Sequence, residues 1–473
     1  MRLSLLARCA VISAIVSAAG ACQNFLDVNT NPNSPEHVTE NLMLPSLTGI
    51  FSSGVIGSWP SSLSAEWMQQ IAYNGTRANM RIELYEIFPS EADRLWNVSY
   101  DQVMNNARIL SQQATADSDY AYAGIAEVIW AWDLSIVTDM WGPVPYSQAW
   151  DPTNPYPAYD TQQQVYDGVF KILNQGISDL GKASARVPGS DDLLYHGDLT
   201  KWTKLAYTLE AQLNLTLSTA PGENTQQRAQ AALDAVQQGF ASNADDADFQ
   251  YFDAAGQRNP WNQSLVDPRI QMSKHYVDLL QSLNDPRLAK QASLTRADSV
   301  YRGEPNGGAA VDTATISSIN PLYGGPAATL TWMSYADAKL VEAEALLIAQ
   351  GPAAADSAYR QGVQANMQKL GVADSATQAY LASLPSLASS ANPLSDIMTQ
   401  KYIVNFLNYQ VWDDWRRTGY PNLTPVPGAL LPSIPVRFMT PGGELSSNAD
   451  NVSATGIDPG LNGMTTRVWW DPN

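Results

Sequence analysis

The stretch NPLSDIMTQKYIVNFLNYQVWDDWRRTGYPN, residues 392–422, decides how the chain is read. Asn392 suits a helix N-cap and Pro393 its first position. From Ile397 to Trp415 apolar residues fall on most faces of one predicted helix. Ile403, Phe406, Leu407 and Val411 lie to one side, and Met398, Tyr402, Tyr409 and Trp412 to the other. A helix apolar nearly all round is buried, so a large helical core must surround it. Its last turn carries Asp413 and Asp414 with Arg416 and Arg417 at pairing distance. Gly419 then offers a left-handed stop and Pro421 forbids continuation. The two arginines could face a ligand, but acidic partners one turn away favour a core role.

Around that helix the pattern is mainly α. Helical periodicity predicts helices over 40–54, 61–74, 92–114, 118–140, 161–180, 199–219, 225–238, 269–283, 334–350 and 353–370. The 335–370 segment is a helix pair interrupted by Gly351-Pro352, with small residues at facing positions that permit close approach. Such pairs are like tetratricopeptide units, although no single period fits the chain. Loop-rich insertions at about 239–333 and 422–473 carry rings amid turn residues, and the Trp469–Trp470 pair reads as a terminal clasp. Aromatic rings in loops need a reason, because loops seldom enclose a core.

With 46 acidic and 27 basic residues among 473, the chain carries a net charge of −19, which repels phosphate backbones and argues against nucleic acid. Two cysteines and three histidines leave no disulfide framework or Cys/His metal site in view. Residues 1–21 read as a signal peptide: Arg2, an apolar run broken by Arg8, then small residues. Ala19-Gly20-Ala21-Cys22 is like a bacterial lipobox, with Cys22 as the lipidated residue. Residues 22–38 read as an extended arm, and residues 39–473 as the body it tethers to a membrane. No apolar run after Cys22 reads as long enough to span a bilayer.

Nine stretches in order carry a family resemblance. They are FLDVNTNPNSP after Cys22, WNVSYDQVMNNARIL (96–110), DMWGPVPYSQAW (139–150) and PAYDTQQQVYDGVFKILNQGISDL (157–180). YHGDLTKWTKLAYTLEAQLNL (195–215), NDPRL (284–288) and SYADAKLVEAEA (334–345) follow. QKYIVNFLNYQVWDDWRRTGYP (400–421) and PVRFMTPGGELSSNADN (435–451) complete the set. Together they resemble the SusD/RagB outer-membrane nutrient-binding lipoproteins nearly end to end, in the SusD-like branch. The resemblance implies a scaffold of about four tetratricopeptide-like helix pairs with a loop-rich subdomain on it. It implies a surface lipoprotein of the outer membrane that binds glycans and hands them to a TonB-dependent, SusC-like transporter. A peptide-binding RagB-like receptor is the alternative within that class, and a secreted glycoside hydrolase the alternative outside it.

Sugars present C–H faces that stack on rings and hydroxyls that need polar partners at the rim. Residues 57–87 supply Trp59, Tyr73, Asn74, Arg77 and Tyr85 as candidate ligand contacts, and the loop-rich part supplies Trp261, Asn262 and Tyr323. Trp67 reads as core, as do Trp96, Trp130, Trp202, Trp412 and Trp415. No HExxH, GxSxG or phosphate-loop pattern occurs, so no catalytic residue and no cofactor is assigned. His37, His196 and His275 read as structural or solvated. Asp245, Asp246, Asp248 and Asp253 lack the spacing of an EF-hand and read as a surface loop in preference to a calcium site.

Overall fold

The computed structural model describes residues 38–76, 80–262, 267 and 269–472. The signal peptide, Cys22, nearly all of the arm, His37 and Arg77 lie outside the described residues. The elements used below are α1 (Glu40–Ile50), α2 (Trp59–Trp67), β1 (Ile71–Tyr73), α3 (Pro89–Asn97), α4 (Asn105–Ala116), α5 (Tyr120–Trp141), α6 (Gln162–Leu180), α7 (Leu199–Thr216) and α8 (Thr225–Val236). Then come β2 (Asp248–Phe249), β3 (Ile270–Met272), α9 (Lys274–Ser282), β4 (Leu330–Thr331), α10 (Tyr335–Gln350), α11 (Pro352–Lys369), α12 (Pro393–Val404) and α13 (Gln410–Thr418).

Helices α4 to α8 each pack on the next in sequence. After the irregular excursion from 237 to 334, α8 packs on α10, and α10 on α11 and α12, so the helical stack continues across the gap. The α10–α11 pair approaches as closely as its small residues allow. A methyl group at Gly362 would lie 2.9 Å from the Ala336 carbonyl and 2.8 Å from the Leu340 side chain. The fold is therefore a mainly α scaffold of packed helix pairs, as expected. The excursion holds short strands, β2 paired with β4 and β3 with β1, all antiparallel.

The long predicted helix of 397–415 is two helices. α12 ends at Val404 and α13 starts at Gln410, and Leu407 between them takes a positive φ of 63°. The cause is a side chain inserted from far away in sequence. Gln70 accepts a hydrogen bond from the Leu407 backbone N–H at 2.9 Å and donates to the Tyr402 carbonyl at 2.9 Å, satisfying groups the break sets free. Asn392 caps α12 by accepting from the Ser395 N–H, and Gly419 ends α13 at φ 76°. Of the nearby apolar positions, Ile403, Tyr402, Val411 and Trp412 are at most 2% exposed.

The four charges of α13 are buried and paired as their spacing predicts: Arg416 with Asp413, and Arg417 with Asp414 at 3.2 Å. Two further partners come from other helices. Glu344 of α10 grips both guanidinium nitrogens of Arg417, and Lys401 of α12 reaches Asp414 at 3.0 Å. Arg416 donates to the Asp139 carbonyl at 2.6 Å and lies 3.7 Å over the Trp412 ring. Trp470 donates to the Asp139 carboxylate at 2.6 Å, and the Trp469 N–H to Gln162 at 2.7 Å, so the C-terminal rings do clasp α5 and α6.

Two expectations change. The segment Glu40–Trp67 has a mean hydropathy of 1.2 over its most apolar window and is long enough to cross a membrane. Leu44, Leu47, Phe51 and Val55 of this segment are instead in the protein core, while Leu42 is exposed. The acidic loop near 245 is a surface feature only in part, at Asp248 and Asp253. Asp245 and Asp246 are buried, Lys204 holds Asp245 at 2.9 Å, and Lys369 bridges Asp246 and Asp248 at 2.6 and 2.7 Å. The two lysines neutralise these carboxylates, and Arg258 pairs with Asp253 at the surface. Another acidic group, Glu40, Asp117 and Asp119, closes around the Arg186 guanidinium.

Candidate ligand-binding cleft

The β1–β3 pair joins two stretches that the sequence holds nearly 200 residues apart. Tyr73 lies opposite Ile270, and the Asn74 N–H donates to the Arg269 carbonyl at 2.6 Å. This register carries the end of β1, the approach to β3 and the helix α2 to one cleft of about 440 Å³. Trp59, Tyr73 and Trp261 line it together. Trp59 and Tyr73 are half-buried, each with part of its ring open to the cleft. Trp261 is 7% exposed and serves as a wall. Asn259 sets that wall by accepting from the Trp261 backbone N–H at 2.7 Å while donating to the Ala328 carbonyl at 2.9 Å.

The polar rim comes from residues the sequence reading did not single out: Glu66, Arg94, Asp267 and Arg269. Arg269 chelates Asp267 through its Nε and Nη2 and lies 5.3 Å over the Tyr73 ring. These bonds from Arg269 hold the Asp267 carboxyl below its ordinary range. Burial, then the Asp267 charge, pushes the Tyr73 hydroxyl up. Glu66 is 6% exposed, and burial first, then the Glu83 charge, pushes its carboxyl up to about 8. A helical trace of Glu66 was available in the sequence: Trp59, Ser62 and Glu66 fall at i, i+3 and i+7, on one face of α2, and all three line the cleft.

The other candidate contacts stand elsewhere. Tyr85 is fully buried, and its hydroxyl accepts from the Val426 N–H at 3.1 Å. Asn74 is spent on the backbone of Val311, donating to its carbonyl at 2.8 Å and accepting from its N–H at 3.3 Å. Asn262 donates to the Gly324 carbonyl at 3.1 Å. Tyr323 packs edge-on against Phe406 and lines a second cavity of about 260 Å³ that also touches Trp261. Trp67 is core, donating to the Ile82 carbonyl at 3.0 Å.

Behind the cleft, burial raises Glu83 and Glu304 to about 7 each. Deeper in the scaffold it raises Glu127 and Asp133 to about 7. An acid whose folded value lies above its unfolded value of about 4.3 binds more protons when folded. Its stabilising contribution is full below the unfolded value and is lost as pH rises through the folded one. His275, lowered by burial, works the other way below about pH 6.5, but it is a single group. The thermal midpoint is therefore expected to fall by roughly 5 °C between pH 5.5 and 8.5, at about 1–2 °C per kcal/mol for a chain of this size. Thermal melts across that range check the sign.

A family model described as starch-binding and associating with the outer membrane matches residues 32–441. The chain belongs to this SusD-like family. Solved structures share the fold. A chitin-binding protein is 24% identical, with a TM-score of 0.79 over 92% of this chain and 100% of that one. A SusD/RagB family protein from Bacteroides thetaiotaomicron is 23% identical, with a TM-score of 0.79 over 92% and 99%. A chitin-binding SusD homolog from Flavobacterium johnsoniae is 23% identical, with the same TM-score over 91% and 99%. No curated protein sequence matches the chain.

Proposed function

We propose that the protein is a non-catalytic receptor that captures glycans in the cleft between α2 and the β1–β3 pair. The observation that carries this reading is the convergence of Trp59, Tyr73 and Trp261 on one 440 Å³ space with a charged rim. Rings take the C–H faces of sugars, and the rim takes hydroxyls. The family description and the chitin-binding relatives support a carbohydrate ligand. Lipidation at Cys22 would anchor the body at the outer membrane, and the captured glycan would pass to a SusC-like, TonB-dependent transporter. Two carboxyls line the cleft among the described residues, and Asp267 is already chelated by Arg269. That leaves Glu66 without the free second carboxylate a glycosidase needs, which supports binding without hydrolysis. Affinity for a single shallow site should lie at about 1 mM to 1 μM.

The test is retention. The soluble body, residues 23–473, is run through gels containing starch, soluble chitin derivatives or pectin, and the same mixtures are assayed for released fragments. Retardation by at least one polysaccharide with no fragments is expected. Fragment release, or binding of peptides alone, would overturn the proposal.

A further inference from the structure

We infer that Glu66 is the polar anchor of the cleft: its carboxyl hydrogen-bonds a sugar lying on Trp59 and Tyr73. The inference rests on the glycan-binding reading and deepens it.

Glu66 is more than nine-tenths buried, its carboxyl opens only on the cleft, and among the described residues it forms no hydrogen bond or ion pair. Such a group is costly in a folded protein unless something satisfies it. The residue lines the cleft two helical turns from Trp59, on the same face, so what satisfies it must enter from the cleft. Each charged neighbour is otherwise disposed. Asp267 and Arg269 hold each other. Arg94 is exposed at the rim and forms no ion pair with Glu66. Glu83 accepts from Asn306 behind the sheet. On α13, which packs against α2, Asp413 and Asp414 are taken by Arg416 and Arg417. The Tyr73 hydroxyl is pushed up by burial and stays neutral through the working range.

Glu66 is thus a neutral acid near pH 7, able to donate one hydrogen bond and accept others. That suits a sugar hydroxyl pair or an acetamido carbonyl.

Binding of the neutral probes maltoheptaose and chitohexaose to residues 23–473 is measured by calorimetry from pH 6 to 9. At least one probe should bind, with affinity falling about tenfold or more as pH rises through 8. Glu66→Gln, which stays neutral at every pH, should bind within about threefold of wild type at pH 6 and lose the pH dependence. Glu66→Ala should bind at least tenfold more weakly while keeping its thermal midpoint, since no internal partner is lost. An unchanged pH profile in Glu66→Gln, or undiminished binding in Glu66→Ala, would overturn the role of Glu66 while leaving ring-based capture intact. Failure of every neutral probe to bind wild type at any pH would overturn capture itself.

Discussion

Arg417→Ala is expected to destabilise the protein by about 3–5 kcal/mol, the usual cost of stranding a buried charge. The guanidinium bridges Glu344 of α10 to Asp414 of α13, and all three side chains are at most 6% exposed. Without it, Glu344 loses both of its hydrogen bonds, and its remaining cation, Lys401, stands 4.0 Å away. Lys401 is itself fully buried and already committed to Asp414 at 3.0 Å. The remaining groups cannot be made neutral without one of them changing protonation. Arg417→Lys should recover only part of the loss, because an ammonium cannot match the two-pronged contact to Glu344. The double variant Arg417→Met with Glu344→Gln should be closer to wild type than Arg417→Ala, since it removes one charge of each sign. Urea denaturation at pH 7 measures all three. Equal stability of Arg417→Ala and wild type would mean that water reaches this cluster.

The pairing within α13 was legible because helix spacing brings Asp413 to Arg416 and Asp414 to Arg417 without reference to anything else. Glu344 and Lys401 were not, since their arrival depends on how α10 and α12 cross α13. The same limit hid the break at Leu407. Periodicity through Phe406 and Tyr409 describes a helix, and only Gln70, more than 300 residues away, tells the chain to turn there.

The cleft shows a similar division. Trp59, Tyr73 and Trp261 were chosen because rings beside turn residues lack an obvious core, and β1–β3 pairing brings them together. Tyr85 and Asn74 satisfied the same criterion and are used inward, one by the Val426 N–H and the other by the Val311 backbone. Local composition cannot separate these cases, because a ring or amide near a turn is equally suited to pinning a distant loop. Glu66 was not legible for a different reason: a lone acid in an apolar helix carries no local sign of which face it takes. Its i+7 relation to Trp59 is what places it on the cleft face.

Removing both open rings, Trp59→Ala with Tyr73→Ala, is expected to weaken glycan binding about 100-fold. Each ring face offers on the order of 60 Å² to a sugar, worth about 1.5 kcal/mol at 25 cal/mol/Å². Two such losses make about 3 kcal/mol, or roughly two decades in Kd. Both side chains are only half-buried, so the thermal midpoint should change far less than the affinity. Trp261 must be handled differently. At 7% exposure it is a wall of the protein as well as of the cleft, and Trp261→Ala should cost stability as a large core truncation does, about 3–5 kcal/mol. Trp261→Phe keeps most of that packing and narrows the test to the indole face. Tyr73→Phe separates stacking from hydrogen bonding, since it keeps the ring under Arg269 and removes only the hydroxyl. If the double variant binds as wild type does while Tyr323→Ala fails, the ligand sits instead in the 260 Å³ cavity on the far side of Trp261. Loss in both places would mean that one extended glycan crosses the indole and uses the two cavities together.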